Sequence, residues 1–189
     1  MKKLVLAASM ALLTACAAPQ QEQISIMPTA TLSSSNLVDS ATFTLTSKDV
    51  RAAQYVALVD SGRSNIEPIH PKQNMRITLE NILAQQLQSQ GYRSSVNSEN
   101  SVVLEIQEAL VTVKHSIMEN EMDGKVTVEV TAETPKGKLV KTFNGVAQRS
   151  GTLSASNEEI EKVLNDVINL VFEEIANDKE LQNYMKERF

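Results

Sequence analysis

Cysteine is scarce in this 189-residue sequence: it occurs once, as Cys16. A single thiol cannot form an intramolecular disulfide, the usual reinforcement of small domains in an oxidising compartment. Tryptophan is absent, and aromatic residues make up only 4% of the chain. This scarcity argues against sites that stack nucleobases or sugar rings on aromatic platforms.

Basic residues are in the minority, with 18 Lys and Arg against 23 Asp and Glu. Nucleic-acid binding needs clustered positive charge that neutralises phosphates, so we do not expect a nucleic-acid partner. The six glycines form no phosphate loop, and no serine lies in a G-x-S-x-G motif. His70 and His115, the two histidines, have no ligand-type residue at metal-binding spacing. The sequence therefore predicts no metal, no other cofactor and no catalytic residue.

The first 15 residues have the pattern of a bacterial secretory signal. Lys2 and Lys3 form a short positive region, and an apolar run follows over 4–13. A bilayer core needs about 20 apolar residues in a helix, so this run is too short for a permanent membrane span. Its length matches the hydrophobic region of a signal peptide, which would comprise residues 1–15.

The sequence Leu13-Thr14-Ala15-Cys16 resembles a bacterial lipobox. That resemblance implies cleavage before Cys16, diacylation of its thiol and acylation of its new amino group. Such acyl chains hold a protein on a membrane, since each buried CH₂ contributes about 0.8 kcal/mol and two chains suffice. By resemblance to the lipoprotein sorting rule, Ala17 is not the aspartate that retains proteins at the inner membrane. We therefore expect an outer-membrane lipoprotein whose body lies in the periplasm.

Composition divides the mature chain into two parts. Residues 16–37 are poor in large apolar side chains and contain two prolines and a run of three serines. This composition predicts a lipidated, flexible tether that allows one short strand, over 24–27. Residues 38–189 carry the alternating and helical patterns, and their length fits one globular domain.

Two amphipathic helices and several alternating strands predict an α+β fold. Apolar residues at helical spacing predict a helix over about 72–90, with Pro71 in its first turn. Ser156 and Glu159 fit a capping box ahead of a second apolar stripe, which runs to a break at Asn177. We expect an antiparallel or mixed sheet of about four to six strands, with both long helices packed on one face.

Two stretches in the centre of the sequence carry further signals. The alternation of apolar residues over 101–115 changes phase, which predicts a β-bulge near 107–109. The acidic stretch 119–124 mimics the start of a calcium loop, but Val130 stands where that loop needs a bidentate glutamate. We therefore expect 119–124 to be a solvated hairpin turn.

Asp49 and Arg51 are the candidate site residues of the domain, because they directly follow its first predicted strand. One interpretation is a charged pair at the rim of a binding cleft. The other is a salt bridge or turn pair, which contributes about 0–1 kcal/mol to stability if it is exposed. The sequence leaves both interpretations open.

Together these features resemble the YajG family of bacterial lipoproteins over nearly the whole chain. The residues that carry the resemblance are the lipobox at 13–16, the strand leading into 49–51, Gly91-Tyr92 after the first helix, the alternating strands from Val102, and 154–157 before the last long helix. The resemblance implies an outer-membrane lipoprotein with no established activity and no catalytic residues to transfer.

The function we expect is a non-enzymatic binding or assembly module of the cell envelope. Such a module would dock on an envelope protein or hold a lipid or cell-wall fragment, and an exposed apolar patch or sheet edge would support it. The alternative is a hydrolase of envelope or cell-wall material with dispersed catalytic residues. A hydrolase would need a cleft that holds a carboxylate or histidine of shifted pKa.

Overall fold

The computed structural model describes residues 22–62 and 65–189. The predicted signal peptide at 1–15 and the lipobox, Leu13-Thr14-Ala15-Cys16, lie outside the described residues. Signal cleavage and lipidation of Cys16 therefore stay predictions at this point.

The described residues form eight strands and three helices. The strands are β1 Gln23–Ile24, β2 Thr42–Asp49, β3 Ala57–Asp60, β4 Ile66–Pro71, β5 Arg93–Ser94, β6 Ser101–His115, β7 Glu119–Thr134 and β8 Gly137–Thr152. The helices are α1 Met75–Ser89, α2 Asn157–Asn177 and α3 Lys179–Arg188. The predicted α+β class is confirmed.

A three-stranded antiparallel meander of β6, β7 and β8 is the centre of one mixed sheet. The other edge of β6 pairs in parallel with β2 and, further along, with β3. β4 lies antiparallel to β3, while the short strands β1 and β5 extend the sheet beside β4 and β2. The eight strands exceed the four to six expected, because two-residue strands and the proline-containing β4 carry no alternating pattern.

The predicted β-bulge is confirmed, since the register of β6 with β7 shifts between Ile106 and Glu108. Apolar residues before the shift are buried at even positions, from Val102 to Ile106. After the shift they are buried at odd positions, from Ala109 to Val113. The extra residue reverses the inward-facing parity of the strand, so that both halves face the same core.

The expectation of a hairpin turn at 119–124 is wrong, because these residues form the start of β7. The turn lies just before them, where the main-chain N–H of Ser116 donates to the carbonyl oxygen of Glu119 at 2.8 Å. Within the stretch, the exposed Glu119 and Glu121 and the half-buried Asp123 alternate with the buried side chains of Asn120 and Met122. The acidic residues therefore mark alternate positions of a strand and not a loop.

Helix α2 packs on the meander, against β7 and β8. Its predicted capping box is confirmed: Ser156 Oγ accepts from the Glu159 amide at 3.3 Å, and Glu159 Oε2 accepts from the Ser156 amide at 2.8 Å. Its buried face contains Ile160, Val163, Leu164, Val167, Ile168, Val171, Phe172, Ile175 and Ala176. The predicted break is also present, because Asp178 ends α2 and caps α3.

Helix α1 begins a few residues later than predicted. Asn74 caps it by accepting a hydrogen bond from the Ile77 amide at 3.2 Å, while Pro71 is the last residue of β4. The buried side-chain amides of Gln86 and Gln90 donate to main-chain carbonyls of α2. Helix α1 also contacts β2. The expectation that both long helices pack on one face of the sheet stays a prediction.

The composition of 22–37 predicts a tether, but the structure packs part of this segment on the domain. β1 pairs with β4, and Ile24 and Ile26 are 1% and 2% exposed. Three amides of the segment donate to side chains along α2: Ser25 to Glu161 at 2.8 Å, Met27 to Asn165 at 2.9 Å and Thr29 to Asn169 at 2.8 Å. Because side chains of α2 accept hydrogen bonds from these amides, the segment is ordered without an apolar pattern of its own. The folded domain therefore begins before Val38.

Two glycines allow α2 to approach the meander closely. A Cβ on Gly145 would lie 2.6 Å from Val171 Cγ2 and 3.1 Å from the carbonyl oxygen of Val167. A Cβ on Gly124 would lie 2.8 Å from Val163 Cγ1. These distances are shorter than van der Waals contact, so any side chain would push the helix off the sheet.

We therefore expect Gly145→Ala to lower the free energy of unfolding by about 1–3 kcal/mol, the usual cost of overpacking a core. The sign is diagnostic, because replacing glycine by alanine in a strand otherwise tends to stabilise. Thermal and urea unfolding of the chain from Ala17 onward measure it. Thr142→Ala, an exposed position on the same strand, is the control. An unchanged or raised stability for Gly145→Ala would contradict the packing described.

Candidate functional site

Asp49 and Arg51, the candidate residues from the sequence, form a two-pronged ion pair. Arg51 Nε donates to Asp49 Oδ1 at 2.9 Å, and Nη2 donates to Oδ2 at 2.8 Å. The side chains are 6% exposed for Arg51 and 16% for Asp49. A planar guanidinium that meets both carboxylate oxygens has a strong and directional geometry.

The pair fills a gap in the sheet. β2 and β3 follow one another along the same edge of β6, and neither pairs with residues 107–110, where the bulge lies. Arg51 Nη1 donates there to the carbonyl oxygens of Ala109 at 3.3 Å and of Tyr55 at 3.2 Å. A buried carbonyl without a partner is costly, so the guanidinium replaces the strand that is missing opposite the bulge.

The electrostatics of the pair favour the ionised carboxylate. Burial by itself would raise the pKa of Asp49, but the hydrogen bonds and positive charge of Arg51 outweigh it and lower the pKa below its usual value. The charge of Arg76 adds to the lowering. At neutral pH, Asp49 is therefore a paired anion and not a proton donor.

A cleft of about 390 Å³ opens beside this pair, lined also by Gln54, His70, Lys72 and Gln73. The structure thus places both candidate residues in the wall of a cleft. All four hydrogen bonds of the Arg51 guanidinium go to the protein itself. A binding role for Asp49 and Arg51 stays a prediction.

The two histidines lie on different strands and have different contacts. His70, in β4, meets Tyr55 edge to face at 6.5 Å between ring centroids. His115 ends β6, and its Nε2 accepts from the Ala155 amide at 3.1 Å. Across 22–62 and 65–189, no three His, Cys, Asp or Glu side chains come together as a metal site. None of the helices in these ranges is both long and apolar enough to cross a membrane.

The longest open edge of the described sheet is the outer edge of β8. This strand is 16 residues long and pairs with β7 alone. The other strands that end the described sheet, β1 and β5, have two residues each, and they leave 66–69 of β4 and 44–49 of β2 without a strand on the outer side, both shorter runs than β8. An open edge presents a row of N–H and C=O groups to which another chain can add a strand.

The register shows which residues face outward. The Leu153 amide donates to Met118 O at 3.1 Å, and the pairing continues without a shift to the turn at Thr134 and Gly137. Hydrogen-bonded pairs alternate in an antiparallel ladder, so odd residues of β8 bond to β7 and even residues point away. Within the described part of the chain, the even residues from 138 to 152 have no main-chain hydrogen-bond partner. Their side chains are all exposed.

Periodicity predicts only part of this edge. Alternation predicts a strand over 138–146, whereas β8 continues to Thr152. The final third of the strand has Arg149, Ser150 and Gly151 in place of an apolar series, so periodicity ends before the strand does. An open edge depends on which strands pair, and no residue pattern within β8 reports that.

A family model described as "Uncharacterized lipoprotein" matches residues 28–186. The chain belongs to this lipoprotein family. The resemblance to the YajG family is confirmed, and membership implies a membrane-anchored protein.

Two relatives from Escherichia coli, strain K12 and the O6:H1 strain CFT073, are each named "Uncharacterized lipoprotein YajG". Each is 21% identical over 178 residues, which cover 93% of this chain and 92% of the relative. The crystal structure of protein XCC0632 from Xanthomonas campestris has a TM-score of 0.61 at 8% identity, and covers 87% of this chain and 98% of that one. This likeness shows a shared fold.

Removing one member of the ion pair tests its structural role. Arg51→Met leaves a poorly solvated carboxylate and two carbonyls without donors, so we expect the free energy of unfolding to fall by about 3–5 kcal/mol. Arg149→Met is the matched control, because that arginine pairs with Asp166 at the surface, where a pair contributes about 0–1 kcal/mol. Urea unfolding measures both. Equal losses in the two variants would show that the buried pair has no special role.

The pair also predicts an acid dependence of stability. The pKa of Asp49 is lower in the folded than in the unfolded chain, so its contribution is complete above the unfolded value of about 3.9 and is lost as the pH falls through the folded value. We expect a double variant, Asp49→Asn with Arg51→Met, to lose less stability than the wild type below about pH 4. Urea unfolding at a series of pH values measures this, and parallel curves for the two proteins would refute it.

Proposed function

We propose that this protein is a lipid-anchored, non-enzymatic docking module of the cell envelope, which binds an extended segment of a partner protein along the outer edge of β8. The acyl chains on Cys16 attach it to the outer membrane, and the domain faces the periplasm. Family membership supports the membrane anchor. The single observation that carries the docking role is the long, unpaired edge of β8.

Several properties of β8 suit strand addition. The strand contains no proline, and its register with β7 has no shift that would twist the edge away. Lys138 is the one charged residue among its outward positions. Val140 and Val146 also occupy outward positions, where they are 42% and 69% exposed. They give a partner strand two apolar contacts. Main-chain hydrogen bonds would supply affinity, and these side chains would supply selectivity.

The cleft beside Asp49 gives little support to the alternative of a hydrolase. Its carboxylate has a shifted pKa, but the shift is downward and both oxygens accept from Arg51. A general acid or nucleophile needs a proton or a lone pair available to the substrate. Arg76 is engaged in the same way, with Ser47 and Glu80. These contacts favour binding over chemistry.

A proline on the outward positions of β8 tests the docking proposal. The Val146 amide points away from β7, so Val146→Pro removes no hydrogen bond of the domain but blocks strand addition. A photo-crosslinking residue replaces Val140 in the full-length, lipidated protein in cells, and adducts are identified by mass spectrometry. We expect one adduct in the parent protein, its loss with Val146→Pro, and its retention with Val146→Thr.

Two controls make this experiment specific. The same crosslinker at Glu173, an exposed position of α2, reports contacts that do not involve the edge. Thermal unfolding of the proline and threonine variants shows that both remain folded. An adduct at position 140 that persists in the folded proline variant would contradict docking by strand addition. An adduct that forms equally at 173 would point to another surface.

A further inference from the structure

Three large apolar side chains lie together in solvent at one end of the domain. Ile117 and Met118, in the β6–β7 turn, are 98% and 74% exposed. Leu153, just after β8, is 72% exposed. We call these three residues the apolar tip. An exposed cluster of this kind is a marker of an interaction surface.

The apolar tip is held in place and is not a loose loop. The Leu153 amide donates to the carbonyl of Met118 at 3.1 Å, which ties the two halves of the tip together. Leu153 has φ of 66°, an uncommon conformation for a residue with a side chain. The side chain of Asn120, itself 2% exposed, donates to the Leu153 carbonyl at 2.9 Å. A strained residue that a buried amide fixes, with its apolar side chain in water, points to function.

The described chain begins at the same end of the molecule. Glu22 accepts a hydrogen bond from Asn157 Nδ2 at 3.1 Å, at the start of α2. Two residues earlier, the Ala155 amide donates to His115 Nε2 at 3.1 Å, next to the β6–β7 turn. β1 pairs with the last two residues of β4 and runs parallel to it, and β4 leads away from the end of β6 that carries the tip. The chain therefore enters the domain from the side of the apolar tip.

The number of residues before Glu22 limits how far the domain can stand from a lipid on Cys16. Five residues separate the two, and a fully extended chain spans at most about 3.6 Å per residue, or about 20 Å in all. β6 alone is 15 residues long, about 50 Å at 3.3 Å per residue. A lipid on Cys16 therefore keeps the end of the domain with the apolar tip near the membrane, whereas Val96 precedes β6 at the other end.

We infer that the apolar tip lies in the interface of the bilayer that holds the acyl chains, so that the domain stands on this end. The inference rests on the lipid anchor of the proposed function. Isoleucine, methionine and leucine gain from leaving water, and Ser116 and Ser154 beside them carry no charge to desolvate. An anchored domain meets the membrane at an effective concentration on the order of millimolar, so a weak contact is sufficient.

Charge does not drive this contact. Among the described residues, Glu119 follows Met118 directly and Glu22, Glu158 and Glu159 lie at the same end, so acidic side chains there outnumber Lys114 and Arg149 and do not favour anionic lipid. The contact is therefore expected on zwitterionic lipid and with little dependence on salt. When the domain contacts the bilayer through the apolar tip, β8 runs away from the membrane surface. Its outer edge then stays open to a partner.

The lone cysteine permits a direct test. Once the Cys16 thiol is acylated, a cysteine introduced elsewhere is the single free thiol in the chain. Full-length lipidated protein with Ile117→Cys or Val96→Cys is labelled with a polarity-sensitive fluorophore and reconstituted into phosphatidylcholine vesicles. Val96 is the matched control, because it is 89% exposed at the opposite end of β6. Nitroxide-labelled lipids should quench the label at 117 several-fold more than the label at 96.

A second comparison assigns the effect to the apolar side chains. The label is placed at Ser116→Cys, with and without Ile117→Asn and Met118→Asn. Loss of lipid quenching in the asparagine background is expected, with flotation on the vesicles unchanged. Cys16→Ser, which should not float, verifies that flotation reports the acyl chains.

The outcomes separate the two proposals. Protein that carries Cys16 yet does not float with vesicles would overturn the anchor and, with it, this inference. Protein that floats while labels at 117 and 96 are quenched equally would overturn the inference and leave the anchor intact. A label at 117 that is shielded from water but not quenched by lipid would show that a second copy or another protein covers the apolar tip, which would also overturn it.

Discussion

The packing of α2 on the β7–β8 hairpin is the contact on which the rest of the structure depends. Gly124 and Gly145 let the helix approach the strands so closely that a methyl group at either position would clash. The helix covers one face of the hairpin, and its side chains then hold the N-terminal segment through the amides of Ser25, Met27 and Thr29. Because α2 covers a face and not an edge, β8 keeps its outward N–H and C=O groups exposed.

The two edges of the sheet differ in the length of the strands that end them. Beyond β6, the short strands β2 and β3 share one edge, Arg51 fills the gap between them, and two-residue strands end the sheet on that side. On the other side, 16 residues of β8 end it without a partner. Natural proteins protect long edges unless another chain pairs with them. This asymmetry is the physical basis for a docking module and for placing its partner along β8.

The sequence predicted the features that depend on local pattern. The capping box of Ser156 and Glu159, the bulge beside Ile106 and the helix ending before Gly91 each follow from a few neighbouring residues. It did not predict features that depend on distant partners. Ile24 looks like part of a tether until α2 supplies side chains to its neighbours, and Arg51 looks like a surface charge until the Ala109 carbonyl is seen beside it. The open edge of β8 also depends on which distant strands pair, so no local pattern predicts it.

Hydrogen exchange along β8 tests docking by strand addition. We expect that in the purified lipoprotein the even-numbered amides, including those of Val140 and Val146, exchange fast while the odd-numbered amides are protected by β7. In the complex with its crosslinked envelope partner, the even-numbered amides should become protected as well, with the period of two that a new strand imposes. Even-numbered amides that exchange equally fast in the complex would show that the partner does not dock along β8.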